Sequence, residues 1–337
     1  MAREKRLPTI SDVAKLAQVS RATVSRAFGR PELIGEETVK RVLRAAKELG
    51  YQPNQTARAL STGRHTNIAI VVPDVANPFF PPLIRAAQAG ADAAGYSVFL
   101  GDSDEDADRE HTLTQRLALQ VEGFILASSR MQDEQISELA ERRPLVLVNR
   151  DTRGIPRVLI DAAAGIHAAV EHLAQLGHRR IVYVSGPSNS WSDQERRRAL
   201  KRAVRKAGME SVAIGARRAS FEAGRQVVAE VRGTGATAAI TFDDLVAHGL
   251  LAGLLEHGVS VPREFSVIGC DDVLGASTFP ALTSISARCD AAGQIAFDLL
   301  MKAMQGAESA DVRCVLESRL AVRATTGAAP ARSSRKA

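Results

Sequence analysis

Long apolar runs are missing from this chain: no stretch of 18 consecutive apolar residues occurs, so no membrane-spanning helix is expected. Cysteine is scarce. Cys270, Cys289 and Cys314 are odd in number and lack CxxC spacing, which argues against a disulfide framework and a thiolate zinc site and fits a reducing cytoplasm. No glycine-rich phosphate loop and no nucleophile elbow is present, so no catalytic residue is assigned. The histidines at 111, 167, 172, 178, 248 and 257 lack metal-ligand spacing, and neither a metal nor another cofactor is expected. The opening MAREKRLPTISD has no apolar segment behind its charges and is expected not to be a secretory signal.

What is present is a chain of 337 residues, long enough for two or three domains, with the apolar and charged fractions (45% and 24%) of a soluble globular protein. Its net charge of +6 is unevenly placed. Residues 1–65 carry 13 Lys and Arg against 6 Asp and Glu, and the remainder is close to neutral. A compact basic module on a neutral body suggests a polyanionic partner for the module; a solvated basic face is the plain alternative.

The first segment reads as helices with short turns. Thr9 and Asp12 have the spacing of an N-cap and its partner three residues on, ahead of Val13, Leu16 and Ala17. Ser20 caps a second helix over Arg21–Phe28, and a third runs from about Glu36 to Leu49, with Gly50 where a left-handed residue ends it. Two short helices with a tight turn, then a third, outline a helix-turn-helix. Residues 51–65 form a linker whose ARALS piece is too short to be a stable helix alone. From residue 66 onward strands and helices alternate. Strands are expected at Asn67–Val72, Tyr96–Leu100, Gly123–Ala127, Leu145–Val148, Arg180–Val184, Ala238–Phe242 and Ser266–Gly269. Such βα repeats imply parallel sheets covered on both faces. The last dozen residues read as a disordered basic tail.

Residues 9–28, TISDVAKLAQVSRATVSRAF, closely resemble the helix-turn-helix of the lactose-repressor/galactose-repressor (LacI/GalR) family, most specifically in VSRATVSR (Val19–Arg26). The likeness continues through ELGYQPN (Glu48–Asn54), ARALS (Ala57–Ser61), VPDVANPFF (Val72–Phe80), Gly186-Pro187 with Arg196 ten residues after the glycine, and VPREFSVIGCDD (Val261–Asp272). Nearly the whole chain is covered, in the family's order.

The resemblance implies an α/β protein: an N-terminal three-helix helix-turn-helix domain and hinge, then a two-lobed, periplasmic-binding-protein-like body of parallel βα units. The expected boundaries are 1–56 for the DNA-binding domain, 57–65 for the hinge helix and linker, 66–325 for the effector-binding and dimerisation body with chain crossings near 161 and 290, and 326–337 for the tail. It implies a transcriptional regulator, a repressor, that binds a pseudo-palindromic DNA operator as a homodimer in the cytoplasm and is switched by a small ligand.

An α-helix fits the major groove, and its N-terminal side chains reach base edges. Arg21 and Ala22 are the first exposed positions of the second helix: arginine can bond guanine twice and alanine can touch a thymine methyl. By resemblance Arg21, Ala22 and Arg26 read bases, although Arg21 and Arg26 could instead form surface ion pairs. Ser20, Thr23 and Ser25 are short donors suited to phosphates, and Thr9 and Asn54 join the DNA-facing set. By resemblance Ala57–Leu60 is the hinge helix, with Leu60 as a wedge between central base pairs and Arg58 facing a phosphate or the minor groove; packing of Leu60 on the body is the alternative.

Ligands of open parallel sheets bind beyond the carboxyl ends of strands. There the sequence places Asp74–Phe80, Ser128-Ser129, Asn149-Arg150, Ser185–Asp193, Asp243-Asp244 and Asp271. Aromatic faces with bidentate polar groups suit a polyhydroxylated sugar. Resemblance names Phe79 or Phe80, Asn149, Arg196 and Asp271 as effector contacts. Trp191, in the loop SNSWSDQ, is expected to stack on the ligand unless it packs on a neighbour. Asp243-Asp244 departs from the family's usual Asn-Asp, and Asp244 is expected to cap the following helix. The basic run Arg196–Lys206 is expected to be a solvated helix face with Arg196 alone turned inward, and the acidic run Asp102–Glu110 an exposed loop and helix start.

Three other readings compete. A purine or other non-sugar metabolite is an alternative effector. A solute-binding protein of the transport class would have the body but no DNA module. An enzyme acting on a sugar would need a base, nucleophile or phosphate loop at the cleft, for which Asp271 alone is thin support.

Overall fold

The computed structural model describes residues 8–51, 66–216, 218–306 and 311–331. They fall into two compact units, one ending at Thr66 and the other beginning at Asn67.

The first unit holds α1 (Ile10–Leu16), α2 (Arg21–Gly29), a single 3-10 turn (Pro31–Leu33) and α3 (Glu36–Leu49). At the start of α1 the Thr9 hydroxyl and backbone N–H both donate to the Asp12 carboxylate (2.7 and 2.8 Å). At the start of α2 the Ser20 hydroxyl accepts from the Thr23 N–H at 3.0 Å, satisfying a donor the helix cannot pair. Gln18 takes positive φ in the turn between them, and Arg41 Nε donates to the Ala17 carbonyl, fastening α3 to that turn. Val13, Ala17, Val24, Ala27, Val42 and Ala46 meet in one small core. Gly50, at φ +66°, closes α3.

The second unit is a pair of parallel-sheet lobes. The first lobe holds β1 (Asn67–Val72), α4 (Phe80–Ala93), β2 (Ser97–Asp102), α5 (Ala107–Leu117), β3 (Gly123–Ala127), α6 (Asp133–Arg142), β4 (Leu145–Val148) and β5 (Arg157–Asp161). The second holds α7 (Ala163–Gln175), β6 (Arg180–Ser185), α8 (Trp191–Lys206), β7 (Glu210–Gly215), α9 (Phe221–Gln226), α10 (Val228–Gly233), β8 (Ala238–Thr241), α11 (Asp244–Glu256), β9 (Ser266–Asp271) and β10 (Thr283–Ser286). The chain then returns to the first lobe for α12 (Cys289–Met304) and β11 (Arg313–Glu317), and ends in the second with β12 (Arg319–Ala321). The sheet orders are β11-β5-β4-β3-β1-β2 and β12-β10-β9-β8-β6-β7, parallel throughout except for β12 against β10.

Strand alternation divides each lobe's interior in two. In β1, Ile68, Ile70 and Val72 face α4 and α12, while Ala69 and Val71 face the layer that holds Ile136 and Leu139 of α6. In β6, Ile181 and Tyr183 face α7 and α8, while Val182 and Val184 face α10 and α11. With both faces covered, the central strands read as unbroken apolar runs.

Three segments link the lobes: 161–163, 286–289 and 317–319. Ser318 knots the first to the third. Its hydroxyl donates to the Asp161 carbonyl (2.7 Å) and accepts from the Gly165 N–H (3.1 Å).

The tail expectation needs correction for residues 326–331. Gly327 donates to Ser266 Oγ and its carbonyl lies 3.1 Å from His178 Nε2, while the Ala329 N–H bonds the Leu176 carbonyl. The small residues TGAAP suggested disorder, but they let this backbone lie close against α7 and β9. No helix among the described residues is long and apolar enough to cross a membrane.

Candidate nucleic-acid interface and ligand cleft

In the first unit Arg21, Ala22, Ser25 and Arg26 are exposed on α2, while Val24 and Ala27 point into the core. Ser20 is exposed and Thr23 half-buried, and the two hydroxyls lie 2.9 Å apart at the helix start. Thr9 is half-buried in its bond to Asp12. The ion pairs described here join Lys40 to Glu36 (2.8 Å) and Glu37 (3.6 Å). Arg21 and Arg26 thus have no acidic partner among the described residues. A shallow groove bordered by Lys15, Gln18, Val19, Ser20 and Arg21 runs between α1 and α2. The face is cationic and, among the described residues, without an internal ion pair to Arg21 or Arg26, as contact with a phosphate-lined groove requires. Asn54, Arg58 and Leu60, with the rest of the hinge assignment, lie outside the described residues.

In the second unit a cleft open to solvent lies between the lobes at the carboxyl ends of the strands. Phe79, Phe80, Asn149, Arg196 and Asp271 come together on its wall. Phe79 and Phe80 stand edge to face, with centroids 5.0 Å apart, where β1 runs into α4. Asn149 follows β4 with φ +53°, and its Oδ1 accepts from the Ile160 N–H at 3.0 Å, leaving its amide nitrogen available to the cavity. Asp271, at the end of β9, has φ +105°.

Arg196 comes from α8, whose other basic residues are exposed. It is 6% exposed; Nη2 donates to Asp271 Oδ1 at 3.0 Å and Nη1 donates to the Phe242 carbonyl, with the guanidinium 4.9 Å from the Phe242 ring centroid. Nε is buried without an acceptor. Burial drives the Asp271 carboxyl well above the ordinary carboxylate range, against the pull of Arg196.

Trp191 is not on the cavity wall. The Ser190 hydroxyl caps α8 by accepting from the Asp193 N–H, so the helix begins at Trp191, which is half-buried, and the serines on either side of it line the cavity instead. The capping assignment at Asp244 also moves by one residue. Asp243 Oδ1 accepts from the Val246 N–H at 2.8 Å and caps α11, whereas Asp244 turns inward to Ser284 and Val273. Register decides this: Asp243 is the last extended residue after β8.

Three lining groups, Glu105, Arg130 and Phe242, lie outside the strand-end segments to which the sequence points. Asn77 lies within one of those segments, Asp74–Phe80. Its Nδ2 donates across the cleft to Asp243 Oδ2 at 2.9 Å. Glu105 belongs to the acidic run expected to be exposed, yet it is half-buried and accepts from Arg130 Nε at 2.6 Å. In the same run Glu110 is buried and accepts from the Arg130 N–H at 2.7 Å. Glu105 and Glu110 turn inward because Arg130 offers them a cation and a backbone donor, while Asp104, Asp106, Asp108 and Arg109 are exposed in the loop and helix start that the sequence predicts. At the cleft mouth Arg218 joins the lobes by an ion pair to Asp104.

Residues 9–54 match the bacterial regulatory proteins of the lacI family, and residues 170–326 match the periplasmic binding protein-like domain. The HTH-type transcriptional repressor CytR of Escherichia coli K12 is 31% identical over 331 residues, covering 96% of this chain and 97% of its own. The chain belongs to the LacI family of bacterial transcriptional regulators. Catabolite control protein A of Streptococcus mutans, 33% identical, aligns over 94% of this chain and 98% of its own length. Among solved structures, the Lac repressor dimer bound to operator and the anti-inducer ONPF superposes with a TM-score of 0.86 at 26% identity, covering 96% of this chain and all of that one. As a LacI-family member, the chain has the expected α/β architecture, helix-turn-helix and parallel-sheet lobes together.

Proposed function

We propose that this LacI-family regulator acts in the cytoplasm as a homodimeric repressor, not an enzyme, holding a pseudo-palindromic operator through α2 of each protomer and responding to a sugar or sugar derivative in the inter-lobe cleft. One observation carries the ligand half of this reading. A buried arginine, bonded directly to a buried aspartate, lines a solvent-connected cleft together with two phenylalanines, the mix of bidentate polar groups and aromatic faces that suits a sugar. On the DNA side, Arg21, Ala22 and Arg26 stand exposed on a capped helix, and the two arginines have no acidic partner among the described residues. The ligand acts by binding one inter-lobe arrangement better than the other, and its effect on DNA equals that difference in affinity. The cellobiose complex of the regulator CelR, 29% identical over 94% of this chain with a TM-score of 0.71, supports a sugar in this fold.

The test is operator binding by fluorescence anisotropy, on a site found by selection from random DNA, titrated with a panel of sugars. Tighter binding to the selected site than to random DNA, and a sugar that shifts that affinity, support the reading. Equal affinity for selected and random DNA, or a ligand-saturated protein with unchanged DNA affinity, refutes it.

A further inference from the structure

The charges on the cleft wall do not balance. Its two arginines each answer one carboxylate: Arg130 takes Glu105 at 2.6 Å and Arg196 takes Asp271 at 3.0 Å. Asp243 is left over. It is 1% exposed, and its two oxygens receive only neutral donors, the Val246 N–H and the Asn77 amide. No lysine or arginine among the described residues forms an ion pair with it. Arg196 attracts it without bonding to it, and a buried carboxylate with no directly bonded cation is costly unless a further donor reaches it.

We infer that Asp243 sets the ligand class of the cleft: it selects an uncharged polyol or an amino-substituted one, which brings a hydroxyl or ammonium donor, and it rejects phosphate esters and carboxylated sugars. This rests on the reading of the cleft as the effector site. An anionic ligand would meet a wall on which three carboxylates (Glu105, Asp243 and Asp271) outnumber two guanidiniums, each of which is already bonded to a carboxylate. A donor group would instead meet an acceptor held by a helix start on one side and by the opposite lobe on the other.

The experiment uses the full chain and its Asp243→Asn variant. Asparagine is as good an N-cap as aspartate, so α11 keeps its first turn; the unfolding midpoint without ligand checks this. Calorimetric titration follows D-glucose, D-ribose, D-glucosamine, D-glucose 6-phosphate, D-ribose 5-phosphate and D-glucuronate. The wild type is expected to bind a neutral or amino sugar at least ~100-fold more tightly than its phosphate or carboxylate counterpart, and the variant to narrow that gap at least ~10-fold, a change of about 1.4 kcal/mol. A phosphate ester or uronate that binds the wild type as tightly as its parent sugar overturns the inference, as does an unchanged gap in the variant. Failure of all six to bind either protein refutes the cleft as a sugar site and this inference with it.

Discussion

Asp244 offers the sharpest test of the electrostatics behind the cleft. It is 4% exposed, its Oδ1 accepts from the Ser284 hydroxyl and its Oδ2 from the Val273 N–H at 3.1 Å. Burial, with Asp243 and Asp272 nearby, raises its pKa from the ordinary 3.8 to about 7, although the Ser284 bond pulls the other way. Between those two values the folded chain holds a proton that the unfolded chain has released. The protonated carboxyl therefore contributes stability that is complete below the unfolded value and is lost as pH rises through about 7. The slope is about 1.4 kcal/mol per pH unit, so on going from pH 5 to pH 8 this group should cost the protein about 3 kcal/mol. Asp244→Asn removes the titration and keeps the bonds: its amide nitrogen can donate to Ser284 Oγ and its oxygen can still accept from Val273. We predict that the variant gains about 3 kcal/mol on the wild type between pH 5 and pH 8, measured by urea unfolding at constant ionic strength. Parallel stability curves for the two proteins would refute the assignment of a protonated carboxyl to this site.

Further predictions concern packing, the buried pair, the cleft mouth and DNA. A β-carbon at Gly249 would lie 1.9 Å from the Phe221 carbonyl oxygen, so Gly249→Ala must push α9 off α11 and is expected to cost about 1–3 kcal/mol or more in a denaturation curve; an unchanged midpoint contradicts the close approach. Arg196→Met strands Asp271 inside the protein and should destabilise the body by about 3–5 kcal/mol, and adding Asp271→Leu should recover most of it; a strictly additive double mutant would show that the two do not act as a pair. Arg218→Ala removes an ion pair between side chains that are more than half exposed, so thermal unfolding should register less than about 1 kcal/mol, and a larger loss would mean the pair is better shielded than its exposure indicates. Arg21→Ala should relax preference at one operator position at a cost of about 1–3 kcal/mol, read by competition against single-base variants; equal loss on operator and random DNA would place Arg21 on phosphates.

The parts of the fold that are legible in the sequence carry a clear apolar pattern, either an unbroken run or helical spacing ended by a turn residue. The runs at β1, β3 and β4 are buried nearly throughout, and the four-residue β4 was placed to the residue. Helix α3 was bounded correctly because Gly50 and the apolar spacing agree. The elements that were missed lie toward the sheet edges or break the pattern with charge. β5 opens with Arg157, which is buried only because Asp151 and Asp311 hold it. β7 is an edge strand exposed along most of its length, and β12 is three residues long, set off from β11 by the lobe change at Ser318. Within the cleft, residues at strand ends were accessible to reasoning because the fold class says where to look. Glu105 and Arg130 were not, since their roles depend on a pairing across a separation of 25 residues that no local pattern encodes.

The double tie at Ser318 limits how the body can flex. Two of its bridges are laced to one another, while the third runs separately through Ala287, whose N–H bonds the Asp271 carbonyl at 3.2 Å. Two anchored points define an axle, so the cheap motion is a clamshell swing about it, and sideways twisting would have to tear the lacing. Asp271, which grips Arg196, is itself hydrogen-bonded to the root of that third bridge, so a ligand against the cleft wall bears directly on the hinge pin.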